Sequence, residues 1–233
     1  MEKEILYILK KYWGHQNFRP LQEDIIRSIS NGQDTLALLP TGGGKSICFQ
    51  VPAMAKEGVC LVVSPLIALM RDQVQNLRKR GITAAALTSG QSPREIDITL
   101  DNAVHGGLKF LYLSPERLKT DLFLARLQKM NVSMVAIDEA HCISEWGHDF
   151  RPPYREIAEI RELLPPKIPF IALTATATAD VVTDIAEKLK LQSPAIFKKS
   201  FARDNLAYVV QEENHKLNRM ISAIKNLGGS GIV

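Results

Sequence analysis

Cysteine is scarce in this sequence, and the spacing of the few cysteines excludes two classes of protein. The chain of 233 residues has three, Cys48, Cys60 and Cys142, an odd number with no two close together. Neither a disulfide framework nor a paired-cysteine metal knuckle can be built from them. We therefore expect buried apolar thiols, an intracellular protein and no zinc site in this chain.

Long apolar runs are missing as well. The longest candidate, residues 59–70, is interrupted by Ser64 and Pro65, so the sequence predicts no transmembrane helix. Residues 1–11 mix charged and aliphatic side chains at helical spacing. That pattern predicts an amphipathic helix and lacks the uncharged core of a signal peptide. We expect a cytoplasmic protein with no membrane partner.

A large excess of one charge is also missing. Lysine and arginine number 29 against 25 acidic residues, a net charge of +4, and 45% of the residues are apolar. These values exclude disordered and fibrous proteins, and the length allows one large domain or two small ones. From Lys188 onward eight basic residues face three acidic ones, a net +5, so the preceding part carries −1. This tail fits either a polyanionic partner or an ordinary solvated surface.

What the sequence does contain is an alternation of short apolar runs and helix-length segments. The runs are rich in Val, Ile and Leu and cover residues 35–39, 59–63, 109–113, 133–137 and 169–173, with a weaker one at 84–87. The segments between them include residues 45–55, 68–80, 94–104 and 116–129. This order predicts an α/β fold with a mostly parallel sheet covered by helices on both faces. Ligands of such sheets bind at the carboxyl ends of the strands.

A glycine-rich loop follows the first of these runs. It reads Pro40, Thr41, Gly42, Gly43, Gly44, Lys45, Ser46 and leads into a helix. Backbone N–H groups of such a loop cradle phosphates, the lysine reaches the β- and γ-phosphates, and the serine hydroxyl is a Mg²⁺ ligand. Leu39 stands where the strict pattern has glycine, and a merely flexible loop is the alternative.

Two carboxylates end another apolar run. Residues 132–137 lead into Asp138, Glu139, Ala140 and His141. Asp138 is predicted to hold Mg²⁺, and Glu139 to activate the attacking water as general base. The alternatives are a helix cap or an acidic surface pair. His141 alone is more often structural, but beside these acids it is expected to bond a neighbouring element and report the nucleotide state.

Several motifs together resemble the RecQ-type DNA helicases of superfamily 2. The segment from Asp138 to Pro152 resembles the aromatic-rich loop of that family. The other motifs follow in the family's order, at residues 18–22, 39–46, 63–74, 114–118, 173–178 and 200–206. The resemblance implies a RecA-like motor domain over residues 1–208. It further implies that residues 209–233 are a linker and the truncated start of a second RecA-like domain, since an apolar run begins at Ile232 and stops.

The resemblance also implies the site residues. Adenine would contact Gln22 and Arg19, and His15 stands where many members carry an aromatic residue, so its stacking face is smaller. Lys45, Asp138, Glu139 and His141 would be catalytic. The residues expected to contact DNA or couple it to hydrolysis are Ser64, Arg71, Ser114, Arg117, Trp146, His148, Phe150, Arg151, Thr174 and Thr176. Exposed aromatic side chains suit base stacking, although Trp146 and Phe150 are alternatively buried loop anchors.

The expected function is that of an ATP-dependent 3′–5′ DNA helicase acting in recombination and repair. ATP and Mg²⁺ are the implied cofactors, and a single-stranded 3′ tail with a duplex junction is the implied substrate. The resemblance suggests a monomer, associated with the nucleoid if bacterial. Because no arginine-finger motif follows Thr178, we expect this chain alone to hydrolyse ATP slowly and not to unwind duplex DNA. An RNA helicase of the DEAD-box kind and a nucleotide-binding module without turnover are the alternatives.

Overall fold

The computed structural model describes residues 2–146, 149–200, 207, 209–210 and 212–227. The chain divides into two compact units, Met1–Phe201 and Ala202–Val233. The described strands are β1 (Thr35–Leu38), β2 (Val59–Val63), β3 (Ala84–Leu87), β4 (Phe110–Leu113), β5 (Val132–Ile137), β6 (Phe170–Thr174) and β7 (Ala195–Lys198). The described α-helices of the first unit are α1 (Glu2–Ile8), α2 (Gln22–Ser30), α3 (Lys45–Ala55), α4 (Ile67–Lys79), α5 (Pro93–Val104), α6 (Asp121–Leu127), α7 (Ile157–Leu163) and α8 (Ala179–Lys188), and short 3-10 helices follow β5 at Ala140–Ile143 and Pro152–Glu156. The second unit contains α9 (Lys216–Leu227).

The strands form one parallel sheet in the order β3-β4-β2-β5-β6-β1-β7. β2 and β5 are buried along their whole length, as the aliphatic runs predict for strands covered on both faces. β7 lies at an edge and alternates between half-buried and exposed residues. The predicted α/β class with a central parallel sheet is confirmed.

Helices cover both faces of this sheet. Apolar residues of α2, α3 and α4 pack on one face, around Ala37, Cys60 and Ala136. Those of α5, α6, α7 and α8 pack on the other, around Leu36 and Leu61. Neighbouring residues of one strand therefore belong to different cores, because successive side chains point to opposite faces. α1 adds a smaller apolar cluster against α2 and α3.

One sequence expectation differs from this architecture, and two agree with it. The segment 116–129 is not one helix: a 3-10 helix (Pro115–Lys119) precedes α6, and Thr120 between them is extended. The amphipathic N-terminal helix is present and continues as a π-helical turn (Leu9–Trp13) that Gly14 ends at φ 73°. The three cysteines are buried and free.

Other expectations fall outside what the structure describes. Residues 201–206 of the last motif, and the apolar run at Ile232, lie outside the described residues. The boundary expected at residue 208 therefore stays a prediction. Among the described helices, none has the length and apolar character needed to cross a membrane.

Candidate nucleotide site at the carboxyl edge of the sheet

The glycine loop connects the carboxyl end of β1 to the first turn of α3. Gly42 and Gly44 have φ of 76° and 78°, a region that glycine enters without steric cost. A Cβ on Gly43 would lie 2.7 Å from the Pro40 carbonyl oxygen, which accepts a hydrogen bond from the Gly43 N–H. The loop therefore needs glycine at these positions for its backbone to curl. Lys45 and Ser46 open α3, at the helix end that carries a partial positive charge.

Gln22 and Arg19 lie against this loop. The Gln22 amide nitrogen donates to the Gly44 carbonyl at 3.1 Å, and its oxygen accepts from the Arg19 backbone N–H at 2.9 Å. The Arg19 guanidinium donates to the Gly42 carbonyl. Leu21, the residue before Gln22, has φ 69°, a strained conformation for leucine that turns the chain into α2. In this arrangement both side chains support the loop, and their contact with adenine stays a prediction.

The acidic pair lies at the carboxyl end of β5, facing the loop. Glu139 has φ 48° and ψ 47°, a left-handed conformation that costs free energy for any residue with a Cβ. One carboxylate oxygen lies 3.4 Å from the Lys45 ammonium, and the other 3.4 Å from the His141 Nδ1. Burial, and then the charge of Glu139, raise the pKa of Asp138 to about 6, against the opposing influence of Lys45.

His141 links the acidic pair to the end of β6. Its Nδ1 is 2.8 Å from the Thr174 hydroxyl, and both side chains are buried. The Thr174 hydroxyl donates in turn to the Thr176 carbonyl at 3.1 Å. A continuous series of polar contacts therefore joins Lys45, Glu139, His141 and Thr174. These residues come from three strand ends that the sheet order brings together.

The segment after the acidic pair carries the aromatic residues. Trp146 is 79% exposed, whereas Phe150 is half-buried under the Arg155 guanidinium, 5.2 Å from its ring centroid. The Arg151 guanidinium donates to the Pro65 carbonyl at 3.1 Å and to the Asp149 carboxylate at 3.4 Å. His148 lies outside the described residues. The Trp146 indole is therefore exposed to a ligand, whereas the Phe150 ring is partly packed against the protein.

The remaining predicted residues follow the carboxyl ends of other strands or lie beside them. Ser64 after β2 is 2% exposed, and its hydroxyl has no hydrogen-bond partner among the described residues. Arg71 is exposed on α4, and Ser114 after β4 is half-buried. The Arg117 guanidinium donates to the Thr88 carbonyl at 2.9 Å. Their contacts with DNA stay predictions, as does the role of the exposed His15.

One partner of the loop was missed by the sequence analysis. Gln73 of α4 donates from its amide nitrogen to the Ser46 hydroxyl at 3.1 Å. Gln73 lies within the segment that resembles a DNA-backbone motif, but nothing in that pattern indicates a contact with the glycine loop. The contact depends on the packing of α4 beside α3, which short motifs do not encode.

Comparisons of the sequence with known proteins identify its family. The sequence pattern of the DEAD/DEAH box helicases matches residues 19–185. The chain is 45% identical over 229 residues to a probable ATP-dependent DNA helicase RecS of Bacillus subtilis, covering 97% of the chain and 46% of the relative. It is 47% identical over 209 residues to the ATP-dependent DNA helicase RecQ of the same organism, covering 89% and 35%. The chain thus spans less than half the length of these relatives.

Solved structures support the fold. The helicase domain of Pyrococcus furiosus Hef superposes with a TM-score of 0.61 at 23% identity, covering 81% of the chain and 39% of that structure. The helicase MrfA bound to DNA and AMPPNP gives 0.66 at 17% identity, covering 84% and 29%. At these identities the likeness shows the RecA-like helicase fold alone.

The relatives also decide between the two helicase types considered above. RecQ and RecS proteins are DNA helicases by name, and their identity with the chain favours the RecQ type over an RNA helicase of the DEAD-box kind. The family pattern covers more than half of the chain and includes the glycine loop, the acidic pair and the threonines after β6. The chain therefore belongs to the DEAD/DEAH box helicase family and is similar in sequence to its RecQ-type DNA helicases.

Proposed function

We propose that the chain is the first motor domain of a RecQ-type DNA helicase, which binds ATP with Mg²⁺ and hydrolyses it to move 3′ to 5′ along DNA. Residues 1–208 would form this domain, and residues 209–233 would lead into a second RecA-like domain in cis. The observation that carries the proposal is the series of contacts from Lys45 through Glu139 and His141 to Thr174. It joins the phosphate loop, the candidate base and the coupling motif.

When a triphosphate binds, Lys45 would leave the Glu139 carboxylate and pair with phosphate oxygens. The ammonium lies 3.4 Å from the Glu139 carboxylate, and phosphate oxygens would compete for the same positive charge. A Glu139 carboxylate released from Lys45 is free to accept a proton from water, as a general base must. His141 touches both Glu139 and Thr174, so a shift of that carboxylate would reach the end of β6.

The residues present fit Mg²⁺. Ser46 supplies a hydroxyl and Asp138 a carboxylate, and oxygen ligands of this kind are what the ion prefers. Bound there, Mg²⁺ would offset negative charge on the phosphates. Gly42 is exposed and Gly43 and Gly44 are half-buried, so phosphate oxygens can approach the backbone of the curled loop. ATP and Mg²⁺ are therefore the cofactors that we propose.

DNA is the proposed polymer substrate. Trp146 offers an exposed indole face for stacking on a base, worth roughly 1–3 kcal/mol per base. Arg71 is exposed on α4, where it can meet a phosphate. On the likeness to RecQ relatives we further propose a single-stranded 3′ tail with its duplex junction as the substrate and a role in recombination and repair. On the same likeness we propose a monomer with a cytoplasmic location, associated with the nucleoid if the source is bacterial.

The first test measures the affinity for Mg·ATP by calorimetry. We expect Lys45→Ala to weaken binding roughly 10- to 150-fold, because a hydrogen bond to a charged group contributes about 1.5–3 kcal/mol. Lys129→Ala is the matched control. Lys129 is exposed and lies just before β5, at the amino ends of the strands and away from the glycine loop. Equal affinities for the Lys45→Ala variant and the unaltered chain would refute the proposal.

A second candidate function is a nucleotide-binding module that does not turn over ATP. The ion pair between Lys45 and Glu139 favours this module, because the ammonium holds the carboxylate that would act as general base. Phosphate release separates the two when it is counted with and without single-stranded DNA, both on this chain and on the protein that also carries the proposed second motor domain. Release that DNA stimulates and that Lys45→Ala abolishes supports the motor, whereas binding without any release supports the module.

A further inference from the structure

A series of three buried or half-buried polar side chains runs beneath the glycine loop. Gln50 of α3 is 3% exposed, and its amide nitrogen donates to the Gln73 amide oxygen at 3.0 Å and to the Tyr112 hydroxyl at 3.2 Å. Gln73 of α4 donates from its own nitrogen to the Ser46 hydroxyl at 3.1 Å. The series therefore begins in β4, passes through two helices and ends on the proposed Mg²⁺ ligand.

The hydrogen bonds of the series all run in one direction. Gln50 donates from its nitrogen to both of its partners, so the Gln73 oxygen accepts from Gln50 and the Gln73 nitrogen is left for Ser46. Rotated by half a turn, the Gln73 amide would place a donor against a donor. Its nitrogen is consequently directed at Ser46, and the Ser46 oxygen acts as an acceptor. A surface glutamine without such a partner would be free to present either atom.

This direction matters for the serine hydroxyl. A hydroxyl oxygen has two lone pairs and one hydrogen. When Gln73 donates to one lone pair, the other lone pair remains for a cation and the hydrogen remains for a separate acceptor. The hydroxyl no longer rotates freely, so less rotational freedom is lost when it ligates a metal. Gln73 is thus placed to prepare Ser46 for Mg²⁺ through the hydrogen bonds that it makes with Ser46 and Gln50.

We propose that Gln73 is a positioning residue that orients the Ser46 hydroxyl for Mg²⁺ and so increases the Mg²⁺-dependent part of nucleotide affinity. The inference rests on the proposed function, since it concerns the same nucleotide site. Gln73 acts through Ser46 and is anchored by Gln50. If Gln73 served only in packing, its substitution would change the stability of the chain or its nucleotide affinity with and without Mg²⁺ alike. The factor by which Mg²⁺ strengthens nucleotide binding would then stay the same.

The test compares the affinity for a non-hydrolysable ATP analogue with and without Mg²⁺ by calorimetry. Gln73→Met keeps the length of the side chain and removes the amide. Gln75→Met is the matched control, because Gln75 lies on the same helix and is exposed. We expect Mg²⁺ to strengthen binding to the unaltered chain and to the control by the same factor. In Gln73→Met that factor should fall about 3- to 10-fold, the range of one neutral hydrogen bond, while the affinity without Mg²⁺ is unchanged.

Gln73→Ala is the second variant, in case the methionine side chain disturbs packing beside Gln50. Thermal unfolding establishes that each variant is folded, and the alanine variant should show the same selective loss. An unaltered Mg²⁺ factor in the folded variants would overturn the inference and leave the proposed function standing. Equal losses with and without Mg²⁺ would overturn it too, because they indicate a packing role. An unaltered chain whose binding ignores Mg²⁺ would instead refute the proposed function.

Discussion

Asp34, the residue before β1, offers the sharpest test of how the sheet is held together. Its side chain is nearly fully buried and accepts three hydrogen bonds. They come from the Phe170 N–H at 2.9 Å, the Gln192 N–H at 2.7 Å and the Arg161 guanidinium. Arg161 also stacks on Phe170, with 4.3 Å between the guanidinium carbon and the ring centroid. One carboxylate thus ties the start of β1 to the start of β6, to α7 and to the segment before β7.

We predict that Asp34→Asn lowers the free energy of unfolding by about 3 kcal/mol. Breaking a buried ion pair by removing one partner costs about 3–5 kcal/mol, because the other charge stays buried without compensation. The Arg161 side chain is 10% exposed, so water can compensate little of its charge. Asparagine keeps one acceptor for the Phe170 N–H, so we expect a loss of unfolding free energy at the lower end of this 3–5 kcal/mol range (about 3 kcal/mol). A domain is typically stable by about 5–15 kcal/mol, so the loss is a large fraction.

Urea unfolding followed by far-ultraviolet circular dichroism measures this difference. The matched control is Glu162→Gln, which removes an acid from the Lys190–Glu162 pair, where both side chains are more than half exposed. That pair is screened by solvent, so its loss should leave the midpoint almost unchanged. Equal midpoints for the Asp34→Asn and Glu162→Gln variants would refute the reasoning that burial makes the Asp34 pair essential.

Three further variants test the site and one helix cap. In a protein that also carries the proposed second motor domain, Glu139→Gln should keep ATP affinity and lose phosphate release, because an amide cannot accept the proton; a loss of only two- or threefold would point to another base. In the same protein, Trp146→Ala should leave DNA-independent release unchanged and reduce its stimulation by single-stranded DNA, and a normal stimulation would leave the indole without a coupling role. Hydrogen bonds from the Ser92 backbone and side chain hold the pKa of Glu95 below its ordinary value of 4.5. Ser92→Ala should therefore destabilise the chain most near neutral pH, and the difference in unfolding midpoint should shrink as the pH falls below about 4.5; a difference that grows on acidification would contradict this.

The strands and the phosphate loop were predictable because their signals are local. β2 and β5 are continuous aliphatic runs, and a strand buried on both faces needs little else. The loop is recognisable because its glycines, lysine and serine are adjacent in the chain. β7 was missed because a half-exposed edge strand of four residues carries no comparable run. Thr120 interrupts the segment 116–129 through an extended backbone that its helical pattern does not reveal.

The contacts between elements were not predictable in the same way. Asp34 and Gln73 look like ordinary surface residues in the sequence, and their partners are 136 and 27 positions away. Gln22 was singled out by its motif, yet the structure gives it partners in the glycine loop that the motif did not suggest. Such contacts depend on how helices pack on the sheet, a property that single-sequence patterns do not carry.

The hydrogen bond from Arg151 to the Pro65 carbonyl joins the segments that follow two neighbouring strands, β2 and β5, and Asp149 accepts from the same guanidinium. The spacing of these two segments therefore depends on a side-chain contact as well as on the pairing of the strands. Loss of the Arg151 side chain would remove the first of these constraints and leave the second in place.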